Sequence, residues 1–133
     1  MADPQQNSVV TLHRRVQLCL ATSGAIQTIA PITQVVFGDG GVDLEGIPIP
    51  PVETQTALNN EVGRYPIDGV AYPLDPPTTA RYTVTVPPNE MIDVPFSEAA
   101  IVDADGFLCA IRTFKIKIKD ADIAFTFEFD DEF

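Results

Sequence analysis

Twelve prolines, scattered from Pro4 to Pro95, leave three stretches long enough for sizeable elements: residues 5–30, 52–65 and 96–133. Proline lacks a backbone N–H and clashes with the preceding helical turn, so helix interiors and central strands exclude it. With eight glycines added, the punctuation argues against a helical bundle. The length of 133 residues suits one domain, and 45% apolar residues supply a core, which argues against general disorder.

Eight basic against nineteen acidic residues give a net charge of −11. That balance disfavours a nucleic-acid partner, which needs clustered Lys and Arg. Apolar runs are only a few residues long, so no membrane-spanning helix and no membrane partner is expected. Residues 1–8 are polar and expected to be flexible, with no signal peptide at the start.

Cys19 and Cys109 form no CxxC, and His13 is the only histidine. A zinc site needs about four N/S ligands, or three and a water, so none is expected. Both cysteines read as reduced, mostly buried small hydrophobes; whether they pair is open to sequence alone.

Residues 9–22 fit two patterns. Val9, Leu12, Val16, Cys19 and Leu20 share a helical face, while Val10, Leu12, Val16, Leu18 and Leu20 nearly alternate as a strand. A helix is expected, with Ser8 as cap and Gly24 as stop. Residues 32–37 (ITQVVF) predict a strand, followed by a long Pro/Gly loop over 38–52. Residues 54–62 predict a short helix capped by Thr54, with Ala57, Leu58 and Val62 buried. Glu61 and Arg64 read as a solvated pair.

The second half reads as β. Tyr82, Val84 and Val86 alternate on one face until Pro87-Pro88. A further strand runs from Ile92 to Val102, turns at Asp103-Ala104-Asp105-Gly106 and returns from Phe107 to Ile111. A last hairpin, tight at Asp120-Ala121, is expected to place Ile118 opposite Ile123, Ile116 opposite Phe125 and Phe114 opposite Phe127. The same register sets Lys119 opposite Asp122 and Thr113 opposite Glu128. It also separates charge: Arg112, Lys115, Lys117 and Lys119 make a basic strand, and residues 120–133 carry six acids and no base. A solvated, aggregation-resistant face is one reading, and a stripe that orients a partner subunit is the other.

The expected fold is α+β, mostly β: one domain over 1–133 with an antiparallel, sandwich-like sheet and one or two short helices. No metal, cofactor, catalytic residue or small-molecule substrate is expected. The acids Asp39, Asp43, Glu45, Asp103 and Asp105 suit turns, and an EF-hand from Asp103 fails because Leu108 and Phe114 stand where glycine and glutamate belong. No G-x-S-x-G, P-loop or G-x-G-x-x-G is present, so an enzyme is not expected.

Three motifs occur in fixed order. ITQVVFGDGG (32–41) contains Gly38, Asp39 and Gly40; QTALNNEVGRYPIDGV (55–70) contains Thr56, Leu58, Asn60, Glu61, Val62 and Arg64. FSEAAIVDADGFLCAIRTF (96–114) contains Glu98, Ile101, Asp103, Asp105, Gly106, Leu108 and Ala110. Over about residues 32–129 this order resembles the N-terminal domain of phage tail-collar fibre proteins. The resemblance implies a structural protein of a contractile or related tail, often trimeric, present in the virion and assembled in the host cytoplasm. Family members usually continue into a shaft and receptor-binding tip, whereas this sequence ends at Phe133. The expectation is therefore a stand-alone baseplate, collar or fibre-attachment adaptor that docks other tail proteins and copies of itself. The 38–52 loop, the N-terminal segment and the acidic C-terminus with Phe129 and Phe133 are its expected interface material; an apolar Phe at an acidic end reads first as a frayed or core residue, with an anchor in a neighbouring subunit as the alternative. Deleting 129–133 is expected to spare the fold and weaken assembly. The alternative is a small acidic β-rich module that binds a ligand or partner outside a virion.

Overall fold

The computed structural model describes residues 7–133. Its elements are β1 (Ser8–Val10), α1 (Leu12–Thr22), β2 (Ile32–Gly38), β3 (Glu61–Pro66), β4 (Gly69–Ala71), β5 (Thr79–Val86), β6 (Pro95–Asp103), β7 (Leu108–Ile118) and β8 (Phe125–Glu132). They form two antiparallel sheets, ordered β1-β7-β6-β2-β3 and β4-β5-β8. Strand accounts for 46% and helix for 9%, so the fold is α+β and mostly β.

The sheets bury apolar residues because their strands alternate. Val84 and Val86 of β5, Phe127 and Phe129 of β8, and Val35 and Phe37 of β2 meet Phe96, Ala99 and Ile101 of β6 between the layers. Aromatic rings hold this core edge to face: Phe37 lies 5.2 Å from Phe127 and 5.3 Å from Phe96, and Phe96 lies 5.4 Å from Phe125. Such pairs contribute roughly 0.5–1.5 kcal/mol each beyond their buried area. A second cluster on the other face of β6 joins Val36, Ala100, Val102, Leu108 and Ile111 under Leu58. β6 is therefore covered on both sides, in keeping with the unbroken apolar run of residues 99–102.

Several expectations need correction. The helix starts at Leu12, because Ser8–Val10 pairs with β7 and Thr11 takes the cap, its Oγ1 accepting from the Arg14 N–H at 3.3 Å. Of the segment expected to be flexible, residues 1–6 lie outside the described residues, and Ser8 is in a strand. No helix forms over 54–62. Leu58 is instead drawn into the second core cluster, and the chain enters β3, which pairs with the edge of β2. The strand expected from Ile92 begins at Pro95, and Ile92 makes only an isolated bridge to Lys119.

The largest correction concerns the last hairpin. β7 and β8 lie in different sheets and do not pair. β8 pairs with β5, setting Phe125, Phe127 and Phe129 opposite Val86, Val84 and Tyr82. Neither Ile118 with Ile123, Lys119 with Asp122 nor Thr113 with Glu128 is a pair; Glu128 faces Thr83 instead. Lys119 is not solvated: it is 3% exposed, and its Nζ donates to the Pro88 carbonyl at 2.7 Å and the Asp120 carbonyl at 3.1 Å. Phe129 belongs to the core, which is the first of its two expected readings and excludes it as an anchor in a neighbour.

Candidate functional site

Glu98 is a charge inside a buried strand, and its side chain is fully enclosed. β6 pairs it with Gly38 at the end of β2. Oε2 accepts backbone N–H groups from Gly40 at 2.9 Å and Asn60 at 3.0 Å, and Oε1 accepts from Asn59 at 3.0 Å. A buried carboxylate needs such donors, because leaving it unpaired costs several kcal/mol. Side chains extend the unit: Asn60 Nδ2 donates to Asp39 Oδ1 at 2.7 Å, and Asn59 Nδ2 donates to the Gly40 carbonyl at 2.8 Å. A Cβ on Gly38 would stand 2.5 Å from Glu98 Oε2 and 2.6 Å from the Asn60 carbonyl. Glycine is what lets the carboxylate sit there.

This unit brings the three sequence motifs together. Gly38, Asp39 and Gly40 come from the first, Asn60 from the second and Glu98 from the third. Leu58, Val62, Ile101, Leu108 and Ala110 serve the core, whereas Thr56 is exposed. Arg64 pairs with Glu61 at 2.9 Å on the surface, as its spacing suggests.

The Asp-Gly turn also forms as expected. Asp103 Oδ1 accepts from the N–H groups of Asp105 and Phe107, both at 3.0 Å, and Gly106 adopts φ +89°. Asp103 Oδ2 lies 3.3 Å from His13 Nε2, and the His13 ring stacks on Phe107 at 4.2 Å. Cys109 is buried near this carboxylate; burial first, then Asp103, push its thiol up to about 12. Cys19 is exposed and both cysteines are free, so the expectation of burial holds for Cys109 alone.

One buried ion pair had no sequence signal. Arg14 Nη1 stands 2.7 Å from Asp131 Oδ2, with side chains 11% and 2% exposed. The contact is an ion pair whose angles fall outside hydrogen-bond geometry, and among the described residues neither atom has another hydrogen-bond partner. Burial raises the Asp131 carboxyl above its ordinary 3.8, with Arg14 pulling the other way. Next to it, hydrogen bonding to Arg81 lowers Asp130.

These carboxylates are committed to turns, backbone donors and cations. Among the described residues no three His, Cys, Asp or Glu side chains converge as a metal site. The outer surface carries apolar side chains in loops: Leu44, Ile47 and Val52 of the 38–52 segment are each more than half exposed, as are Tyr72 and Leu74. Such side chains, in segments anchored at both ends to the sandwich, suit contact with other proteins. No protein-family model, curated protein or solved structure matches this chain.

Proposed function

We propose that this protein is a structural component of a phage or phage-like contractile tail, a baseplate, collar or fibre-attachment adaptor that acts by docking. The observation that carries the reading is the meeting of all three tail-fibre-like motifs at Glu98. Residues 38–40, 59–60 and 98 make one hydrogen-bonded unit, which supports reading the three motifs as parts of a single scaffold. The exposed apolar side chains of the 38–52 loop add contact surface to that scaffold. The proposed partners are other tail, baseplate or fibre proteins and further copies of the chain, a trimer being the favoured assembly. The site of action is the virion tail, after assembly in the host cytoplasm.

The test is deletion of the gene from the element that carries it, followed by electron microscopy and mass spectrometry of the purified particles. Peptides of this chain in wild-type tails, with incomplete or fibreless tails in the deletion, are the expected result. Complete, infectious particles that contain none of it would overturn the reading.

A further inference from the structure

Among the described residues the terminal strands β1, β3, β4 and β8 and the distal half of β7 each have an edge without a strand partner, and β8 and β7 are the two that match each other. β8 pairs with β5 alone, so its outer edge has no strand partner among the described residues. β7 is covered by β1 only at residues 110–112, and from Thr113 onward its outer edge has no strand partner among the described residues. An unpaired edge is a template for a further strand.

The two edges are complementary in chemistry. β8 sets Glu128, Asp130 and Glu132 on its outer face and Phe127 and Phe129 on its inner face. The distal half of β7 alternates Lys115 and Lys117 with Ile116 and Ile118, and those isoleucines are 50% and 58% exposed. Lysines match acids and isoleucines match phenylalanines with the same period of two. Within one molecule these strands touch through side chains but do not pair.

A slot lies along the β8 edge. Between β8, β1 and the start of β7 runs a groove of about 670 Å³, lined on the β8 side by residues 129–132. Arg112 crosses it, with Nη2 donating to the Asp130 carbonyl at 3.3 Å and its guanidinium 4.8 Å above the Phe129 ring. An incoming strand would replace Arg112 at that carbonyl.

We infer that copies of this chain associate head to tail, the distal half of β7 in one copy adding to the β8 edge of the next. The inference deepens the docking role proposed above and rests on it, because it names the contact behind self-assembly. Each contact uses β7 of one copy and β8 of another, so it repeats until the rotation closes a ring.

Charge reversal tests it. The variants are Lys115→Glu with Lys117→Glu, Glu128→Lys with Glu132→Lys, and all four together, compared with wild type by light scattering at matched concentration. Circular dichroism checks the fold. The wild type should be an oligomer, each double reversal should fall to the 14.4 kDa of one chain, and the fourfold variant should reassemble. The double reversals move the net charge in opposite directions, so a loss common to both cannot come from net charge. An oligomer that persists in both double variants overturns this contact and leaves the tail role standing. A wild type that stays monomeric overturns both the contact and self-assembly. Should a variant not fold, carbodiimide cross-linking of mixed light and heavy isotope-labelled wild type replaces it. Links from Lys115 or Lys117 to Glu128 or Glu132 between light and heavy chains are expected, and links confined to single chains overturn the inference.

Discussion

Glu98 Oε2 accepts the backbone N–H of Gly40 at 2.9 Å across 58 residues of sequence. Together with the N–H groups of Asn59 and Asn60, that bond fixes where the long loop leaves β2 and where the chain returns to β3. Replacing Glu98 with Ala strands three donors, and a buried unsatisfied donor costs about 1–3 kcal/mol. Glu98→Ala should lose about 3 kcal/mol or more in urea unfolding, and Glu98→Gln, which keeps one acceptor oxygen, less. Gly38→Ala should lose about 1–3 kcal/mol by overpacking the same carboxylate. Gly69→Ala, where a Cβ would meet nothing within 4 Å, is the control. Wild-type stability in Glu98→Ala would mean that water satisfies those donors.

How much of this was readable beforehand depended on range. β2, β5 and the Asp103–Gly106 turn with its flanking strands were legible because alternation and turn chemistry are local. The partner of β8 was not. Phe125, Phe127 and Phe129 match Val86, Val84 and Tyr82 as well as they match the isoleucines of β7, and a period of two says nothing about which strand lies alongside. Residues 54–62 failed for a related reason: the N–H groups of Asn59 and Asn60 are taken by a carboxylate 39 and 38 residues away instead of by helical carbonyls. The motif residues were visible as a pattern, but their meeting point was not. Its one signal was a glutamate inside the apolar run of 94–102.

Arg14 and Asp131 join α1 to β8 as a nearly dry ion pair. Removing one member of such a pair leaves a buried charge and costs about 3–5 kcal/mol, whereas an apolar replacement of both is often neutral. Arg14→Met should therefore lose about 3 kcal/mol by chemical denaturation, and Arg14→Met with Asp131→Leu should regain most of it. Equal losses in the single and double variants would mean that the pair contributes only packing.

Asp130 sets part of the acid sensitivity. Its carboxyl is held below 3.8, first by hydrogen bonding to Arg81. A group whose folded value is depressed stabilises the fold above its unfolded value, and that contribution is lost as pH falls through the folded value. The Tm of wild type should therefore drop more steeply than that of Asp130→Asn between about pH 5 and about pH 2. Parallel curves would show that the Arg81 contact does not favour the ionised form.

The two cysteines should separate by reagent. Cys19 is exposed on α1, while Cys109 is buried with its thiol pushed up to about 12. Because the thiolate is the reactive form, a disulfide-exchange dye at neutral pH should titrate one thiol in the native protein and two in denaturant. Cys19→Ser should abolish the native reaction. A fast second thiol in the native state would mean that β7 opens locally.

The end of the chain divides into a removable and an indispensable part. Phe133 is 70% exposed and lies beneath the Arg14 guanidinium, 5.0 Å from Cζ to the ring centre. Exposed cation–π contacts contribute about 0.5–1 kcal/mol, so deleting Phe133 alone should shift stability by about that much. Deleting 129–133 is different. It removes Phe129 from the core, Asp131 from its pair with Arg14, and the pairing of Thr79, Ala80, Arg81 and Tyr82 with β8. Loss of a buried phenylalanine by itself costs about 3–5 kcal/mol, so the longer truncation should abolish cooperative thermal unfolding instead of sparing the fold. A folded, cooperatively melting 1–128 fragment in circular dichroism would show that β5 and β6 hold the sandwich without the last half of β8.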